Sequence, residues 1–488
     1  MSDYKFELNK ESPVYSQIYL YIKKQIINGE LPHGAKILPE RQLAEKLGVH
    51  RNTIVKAYNE LKADDLIVSK QGQGYFVNYG SIENKKTSGN RKKKLYWPNI
   101  IGENLYHLDK SFNSFITQSY RDGASISFTQ STLPPEYYNQ AELKQLICNI
   151  VEKEDIFGVT PYQGRRDLRK CLSLFLKERG ILVNASDIVV LSDESTAIGC
   201  IMDLVLKPGD TVIMEEPYSP LRYKQIESLG IQIQTIPIDQ NGMKTQLLEP
   251  LILKYRPKMI LTSGSFNEPS GYAKSLERKK QLLDLSHQYE IPILEENWAS
   301  DLSFVDSCAS LISMDQGGNT VYVHSFGLTC APGMRCALIT GPSDLIKAIC
   351  KLLPWKDIKA DNLAQALLCE YIKSGLYKKT ILSAVVLNKK KCELVRSKLE
   401  LLKDYGVVVN NPAEGICVWC RLPDKVDMEK LLSLCLKTGV SIFAGDAFFY
   451  NGIAPEKYIK INYVFPTMEE LDLGLDHLVT ILLKLLVE

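Results

Sequence analysis

At 488 residues the chain exceeds what one compact core organises, and its length allows two to four domains. Hydrophobic residues make up 45% and charged ones 24%, with a formal net charge of +2, which excludes a disordered chain and names no partner by bulk charge. No stretch reaches about 18 uninterrupted apolar residues and the opening MSDYKFELNKESP has no apolar core, so no membrane partner and a cytoplasmic location are expected.

From Pro13 to Asn28, Val14, Ile18, Ile22 and Ile26 recur every four residues, the stripe of an amphipathic helix that NGELPHG then breaks. A second helix begins at the PER of residues 39–41, turns Leu43, Ala44 and Leu47 inward and stops at Gly48, after which RNTIVKAYNEL opens a third. Two helices joined by the short turn LGVHRNT, followed by LIVSK, the glycine-bearing QGQG and YFV, read as a helix-turn-helix with a two-stranded wing. The third helix carries His50, Arg51 and Asn52 at its amino end, where a recognition helix meets base edges and phosphates, and Thr53 stands ready to cap it or bind phosphate. The plainer alternative is a small helical cap. Lys and Arg exceed Asp and Glu by only 11 to 9 over residues 1–80, so attraction for DNA rests on placement.

The run SPVYSQIYLYIKKQIINGELPHGAKILPERQLAEKLGVHRNTIVKAYNELKADDLIVSKQGQGYFV resembles a GntR-type winged helix over its full length. The resemblance implies a double-stranded DNA operator as partner, contacted by Arg41 before the second helix, by His50, Arg51, Asn52 and Thr53 at the start of the third, and by Gln71 and Gly72 in the wing. Asp65 stands where that family usually turns on glycine; aspartate tolerates left-handed geometry less well than glycine but better than most residues.

Residues 80–95, GSIENKKTSGNRKKKL, are polar and basic and begin a linker expected over residues 80–110. It serves either as a solvated tether or as a strip that follows the DNA backbone, since closely spaced Lys and Arg release counterions from phosphate.

Beyond residue 140, short β-rich runs alternate with helical segments: DIVVLS, DTVIMEE, MILTSG, IPILEE, TVYVHS and CALIT. Such alternation predicts a mostly parallel sheet wrapped by helices, with sites at the carboxyl ends of strands, followed by a smaller α+β unit from about residue 350. The twelve cysteines lie after residue 147, mostly in apolar segments, where cysteine acts as a small buried hydrophobe. Cys417 and Cys420 form a CxxC, but apolar alternation around it reads as a strand rather than as half of a zinc site or a redox pair, and no metal site is expected.

The anchors PYQGRRDLRKCLSLFLKERGI, KPGDTVIMEEPYSPLR, NEPSG with RKKQLLDL, ILEENWASDLSF, VYVHSFGLTCAPGMR and YIKINYVFP resemble the aminotransferase-like domain of the MocR branch of GntR regulators. The implied fold class is α/β, an N-terminal winged helix-turn-helix joined to a fold-type I aminotransferase-like domain with a mostly parallel sheet. The expected division is a winged helix over 1–79, the linker over 80–110, and an effector and dimerisation domain over 111–488.

That family holds pyridoxal phosphate (PLP), which needs a lysine amine, an acid for the pyridine nitrogen, a stacked aromatic and an anion cup. Against the family turn S-K-x-x-A-P-G-x-R, Ala331, Pro332, Gly333 and Arg335 align without a gap; Leu328 takes the lysine position and Gly327 that of the phosphate-binding serine. Leucine cannot act as a nucleophile at any pH, so no covalent cofactor is expected and PLP could bind only noncovalently. Glu296 takes the ring-nitrogen position, Trp298 that of the tyrosine beside the phenolic oxygen, and Asp193, Glu194, Ser195 and Thr196 that of the phosphate loop. Each of the two carboxylates there would repel a phosphate charge by about 3 kcal/mol at about 5 Å and an effective dielectric of 20. Tyr218 stands at the ring-stacking position, Ser325 and Arg335 at phosphate contacts, Lys460 at the substrate-carboxylate position, and Asn267 among the pocket residues. Tyr218 reads equally as a packed core aromatic, and Arg335 as a buried ion pair holding the turn.

The expected protein is a sequence-specific DNA-binding transcriptional regulator, homodimeric through its large domain, whose aminotransferase-like part senses an anionic or amino-acid-like effector without catalysis. The alternatives are a PLP-dependent aminotransferase with a DNA-binding head, a regulator holding PLP noncovalently, and an interaction module whose pocket Trp298 and Leu328 plug.

Overall fold

The computed structural model describes residues 13–27, 30–64, 66–70, 74–78, 126–153, 156–264, 266–304, 309–330, 333–410, 412 and 416–487. Asp65, Gln71, Gly72, the linker and the pair Ala331 and Pro332 lie outside the described residues. The chain divides into two units, Met1–Trp97 and Pro98–Glu488.

In the first unit, α1 (Val14–Ile27), α2 (Glu40–Leu47) and α3 (Arg51–Ala63) precede a hairpin of β1 (Ile67–Lys70) and β2 (Gly74–Val77), paired antiparallel with Ile67 opposite Val77. The four-residue stripe explains α1: Ile18, Ile22 and Ile26 are buried against Leu43, Ile54 and Tyr58. Gly48 ends α2 in the left-handed region, φ 65°, and returns its N–H to the last turn, which needs no Cβ penalty. A bridge between Lys36 and Phe76 adds the segment before α2 to the edge of the wing.

The second unit is built on an eight-stranded sheet. Its strands are β4 (Ile188–Leu191), β5 (Thr211–Glu216), β6 (Gln232–Asp239), β7 (Gly242–Met243), β8 (Met259–Ser263), β9 (Ile293–Asn297), β10 (Thr320–Ser325) and β11 (Ala337–Thr340), following β3 (Ile126–Ser127) in the chain. The spatial order is β4-β11-β10-β9-β8-β5-β6-β7, parallel from β10 through β6, with β11 antiparallel to both neighbours and β7 antiparallel to β6. Six of these strands are the six expected β-rich runs. Nearly every residue of them is buried, because helices cover both faces of such a sheet.

A smaller antiparallel sheet runs β12 (Val408–Val409), β13 (Cys417–Leu422), β16 (Lys457–Asn462) and β15 (Phe443–Ala444). Beside it, β14 (Val440–Ser441) pairs in parallel with β3, so this lobe takes in a strand from the start of the domain as well as its end. Cys417 and Cys420 lie on β13, three residues apart on a pleated strand and hence on opposite faces, and burial pushes both thiols up to about 12.

Candidate functional site

The head places four of its expected DNA contacts, His50 to Thr53, at the start of α3, and Arg41 in the first turn of α2. Arg41, His50, Arg51 and Asn52 are exposed and Thr53 is half-buried. His50, rather than Thr53, is the cap: its Nδ1 accepts the Asn52 N–H at 3.2 Å. Arg51 is steered by a residue the sequence reading passed over, Glu40 at the start of α2, whose Oε2 accepts from Arg51 Nη2 at 2.8 Å and Nε at 3.1 Å. Glu40 Oε1 accepts in turn from the Tyr75 hydroxyl on the wing at 2.6 Å. The Tyr75 bond, with Arg51 beside it, holds the Glu40 carboxyl below its ordinary range. Helix two, helix three and wing thus meet at one carboxylate, that of Glu40, which leaves the Arg51 side chain half exposed.

In the second unit a cavity of 360 Å3 opens where β4, β9 and β10 end, the position at which parallel sheets gather ligands. Tyr218, Glu296, Trp298, Ser325, Leu328 and Arg335 all line it, as the resemblance implied. Asn267 does not: its amide donates to Pro217 O at 2.9 Å and its Oδ1 accepts from the Ser270 hydroxyl, so it ties the loop instead. The next residue, Glu268, lines the cavity and pairs with the buried Lys460 on β16, so Lys460 reaches the site only through Glu268.

The chain's own side chains satisfy the groups that a PLP site would leave open. Asp193 caps the helix Glu194–Val205, its Oδ1 accepting Thr196 N–H at 2.8 Å and its Oδ2 accepting Thr196 Oγ1 at 3.0 Å. A carboxylate therefore holds the helix amino terminus that would otherwise meet a phosphate. Glu296 is engaged by Arg222, from the helix Pro220–Ser228: Arg222 Nε stands 2.8 Å from Glu296 Oε1, and its Nη2 donates to Glu194 Oε1 at 2.6 Å. Burial pushes the Glu296 carboxyl up, Arg222 opposes that and Glu194 adds to it. Arg222 was missed although the anchor YSPLR contains it, four residues after Tyr218.

Leu328 is buried, 6% exposed, against the hydrophobic core. Arg335, read from sequence as a phosphate contact or a buried pair, is neither enclosed nor tightly paired: its side chain is 65% exposed and 3.7 Å from Asp193. Ser325 Oγ accepts the Gly327 N–H at 3.3 Å. The Tyr218 ring is buried, with its hydroxyl unpartnered among the described residues. Four carboxylates, Asp193, Glu194, Glu268 and Glu296, face two guanidinium groups, Arg222 and Arg335, around the cavity. Around this cavity the turn offers Leu328 rather than an amine, Glu296 is paired with Arg222, and Asp193 occupies the helix amino terminus.

No helix among the described residues is long and apolar enough to cross a membrane. Residues 14–77 match the GntR family of bacterial regulatory proteins, and residues 126–478 match aminotransferase class I and II. The chain is 28% identical to the HTH-type transcriptional regulator YdfD of Bacillus subtilis (strain 168), over 96% of this chain and 95% of that protein. It is 24% identical to the HTH-type transcriptional regulator YisV of the same organism, over 97% of each. Among solved structures it resembles the kynurenine aminotransferase of Pyrococcus horikoshii, with a TM-score of 0.73, 22% identity, and cover of 79% of this chain and 98% of that one, a likeness of fold. The chain belongs to the aminotransferase class I and II family and carries, ahead of that domain, a GntR-family helix-turn-helix, the MocR-like architecture of a DNA-binding transcriptional regulator.

Proposed function

We propose that this regulator reads a specific operator through Arg41, His50, Arg51, Asn52 and Thr53, with Gln71 and Gly72 in the wing, and that its aminotransferase-like domain is a catalytically inactive sensor. The observation that carries the second half is the buried Leu328 in the turn where a Schiff-base lysine would stand. The Arg222–Glu296 ion pair and the Asp193 helix cap support it, because each consumes a group that cofactor chemistry needs free. The domain also serves as the homodimerisation scaffold, so that two heads address two half-sites at a spacing set by the dimer. An effector in the cavity acts by binding one arrangement of the heads more tightly than the other; without that difference it shifts nothing.

The test is a titration of the purified full-length protein with PLP, followed by dialysis, borohydride reduction and intact mass. The expected result is no retained PLP and no mass gain. A stoichiometric adduct on one lysine overturns the inactive-sensor reading and restores the aminotransferase alternative. PLP retained through dialysis without a mass gain instead identifies it as the noncovalent effector.

A further inference from the structure

A second, larger cavity of 790 Å3 lies on the other face of the same sheet. Successive residues of a strand point to opposite faces, and β9 and β10 show it: Glu296 and Ser325 line the first cavity, Asn297 and Tyr322 the second. Its side walls are apolar, with Leu174, Phe175 and Ile181 from one flank and Ile372, Ile381 and Leu382 from the other.

The floor is charged but internally balanced. Asp301 accepts from Arg179 Nη2 at 2.5 Å and from the Tyr377 hydroxyl at 2.6 Å, and His324 Nε2 stands 3.3 Å away. The Arg179 guanidinium also lies 3.5 Å over the Phe175 ring.

Charge at the rim is not balanced. Asp167 is already paired with Arg165, and Lys373 with Glu370. Lys170 and Lys378 are exposed lining residues that make no ion pair among the described residues, and Glu178 alone opposes them. A wide apolar chamber with two exposed lysines against one glutamate in its lining selects for a molecule with an apolar body and an anionic end.

We propose that this cavity is a second ligand site, separate from the aminotransferase-like pocket, that takes a small amphipathic organic anion. The apolar body packs between Phe175 and Ile381, and the anionic head stays at the rim beside Lys170 and Lys378. The proposal does not depend on whether the first cavity holds an effector.

The probe is 8-anilinonaphthalene-1-sulfonate, titrated by fluorescence into the full-length protein, with N-phenyl-1-naphthylamine as the same ring system without the charge. The expected result is one sulfonate site per chain, weakened about tenfold in the exposed double variant K170E/K378E, with binding of the neutral probe unchanged. Leu382→Trp, which narrows the mouth, should weaken both probes; the charge variant decides alone if that protein misfolds. Sulfonate binding that K170E/K378E leaves unaltered, or no binding at all, overturns the proposal.

Discussion

Burial pushes the Asp301 carboxyl up, but the Arg179 guanidinium, the nearby His324 ring and the hydrogen bond from the Tyr377 hydroxyl outweigh it and hold the group below the ordinary aspartate value of 3.8. A carboxyl depressed in the folded state adds stability above its unfolded value and loses it as pH falls through the folded one. Asp301→Asn should therefore cost about 3 kcal/mol at pH 7, because it strands Arg179, and the deficit should shrink below about pH 4. Urea unfolding of both proteins across that range checks it, and a deficit independent of pH would show that the ionised form is not what matters. At this scale the sequence was uneven. The place of Leu328 in the cavity lining was legible because a gap-free frame of Ala331, Pro332, Gly333 and Arg335 fixed its register. Asn267 and Glu268 were not, because which neighbour faces a cavity depends on Pro217 O lying within reach of the Asn267 amide. Nor did the frame reveal that Arg222 would neutralise Glu296, since that pair joins residues 74 apart.

Elements were read best where both faces are buried. The runs that became β4, β5, β8, β9, β10 and β11 are almost wholly buried, whereas β6 mixes buried, half-buried and exposed residues and left no continuous signal. The two-residue strands β3 and β14 are too short to carry any period, yet they bring the start of the domain into the smaller lobe. Gly164, in the PYQG anchor, leads into the helix Arg166–Lys177 with φ +93°, and a Cβ there would meet Val190 Cβ at 2.7 Å and Gln365 Oε1 at 2.9 Å. Gly164→Ala should cost about 3 kcal/mol, since both the backbone and the contact with β4 resist it. A thermal or urea melt reads that loss directly; a melt like the parent's would mean that the loop relaxes freely.

For the molecule as a whole, the order of a winged helix followed by an aminotransferase-like domain was readable because each part carries a long run of ordered motifs. Ligand identity was not, because it depends on pairings between distant side chains. Arg51→Ala should weaken binding to an operator selected from random duplexes by about 1–3 kcal/mol and relax base preference. Neutralising Lys92, Lys93 and Lys94 should weaken all sequences alike and flatten the salt dependence. Anisotropy titrations at several salt concentrations separate the two, and unchanged operator affinity in Arg51→Ala would remove α3 as the reading element. In the large domain, β9 and β10 form a party wall, with Glu296 and Ser325 on one side and Asn297 and Tyr322 on the other. Two molecules that each favour one setting of that wall from opposite sides change each other's affinity, and by thermodynamic reciprocity each does so by the same factor. A strand pair two residues thick would thus let this protein register two chemical signals as one.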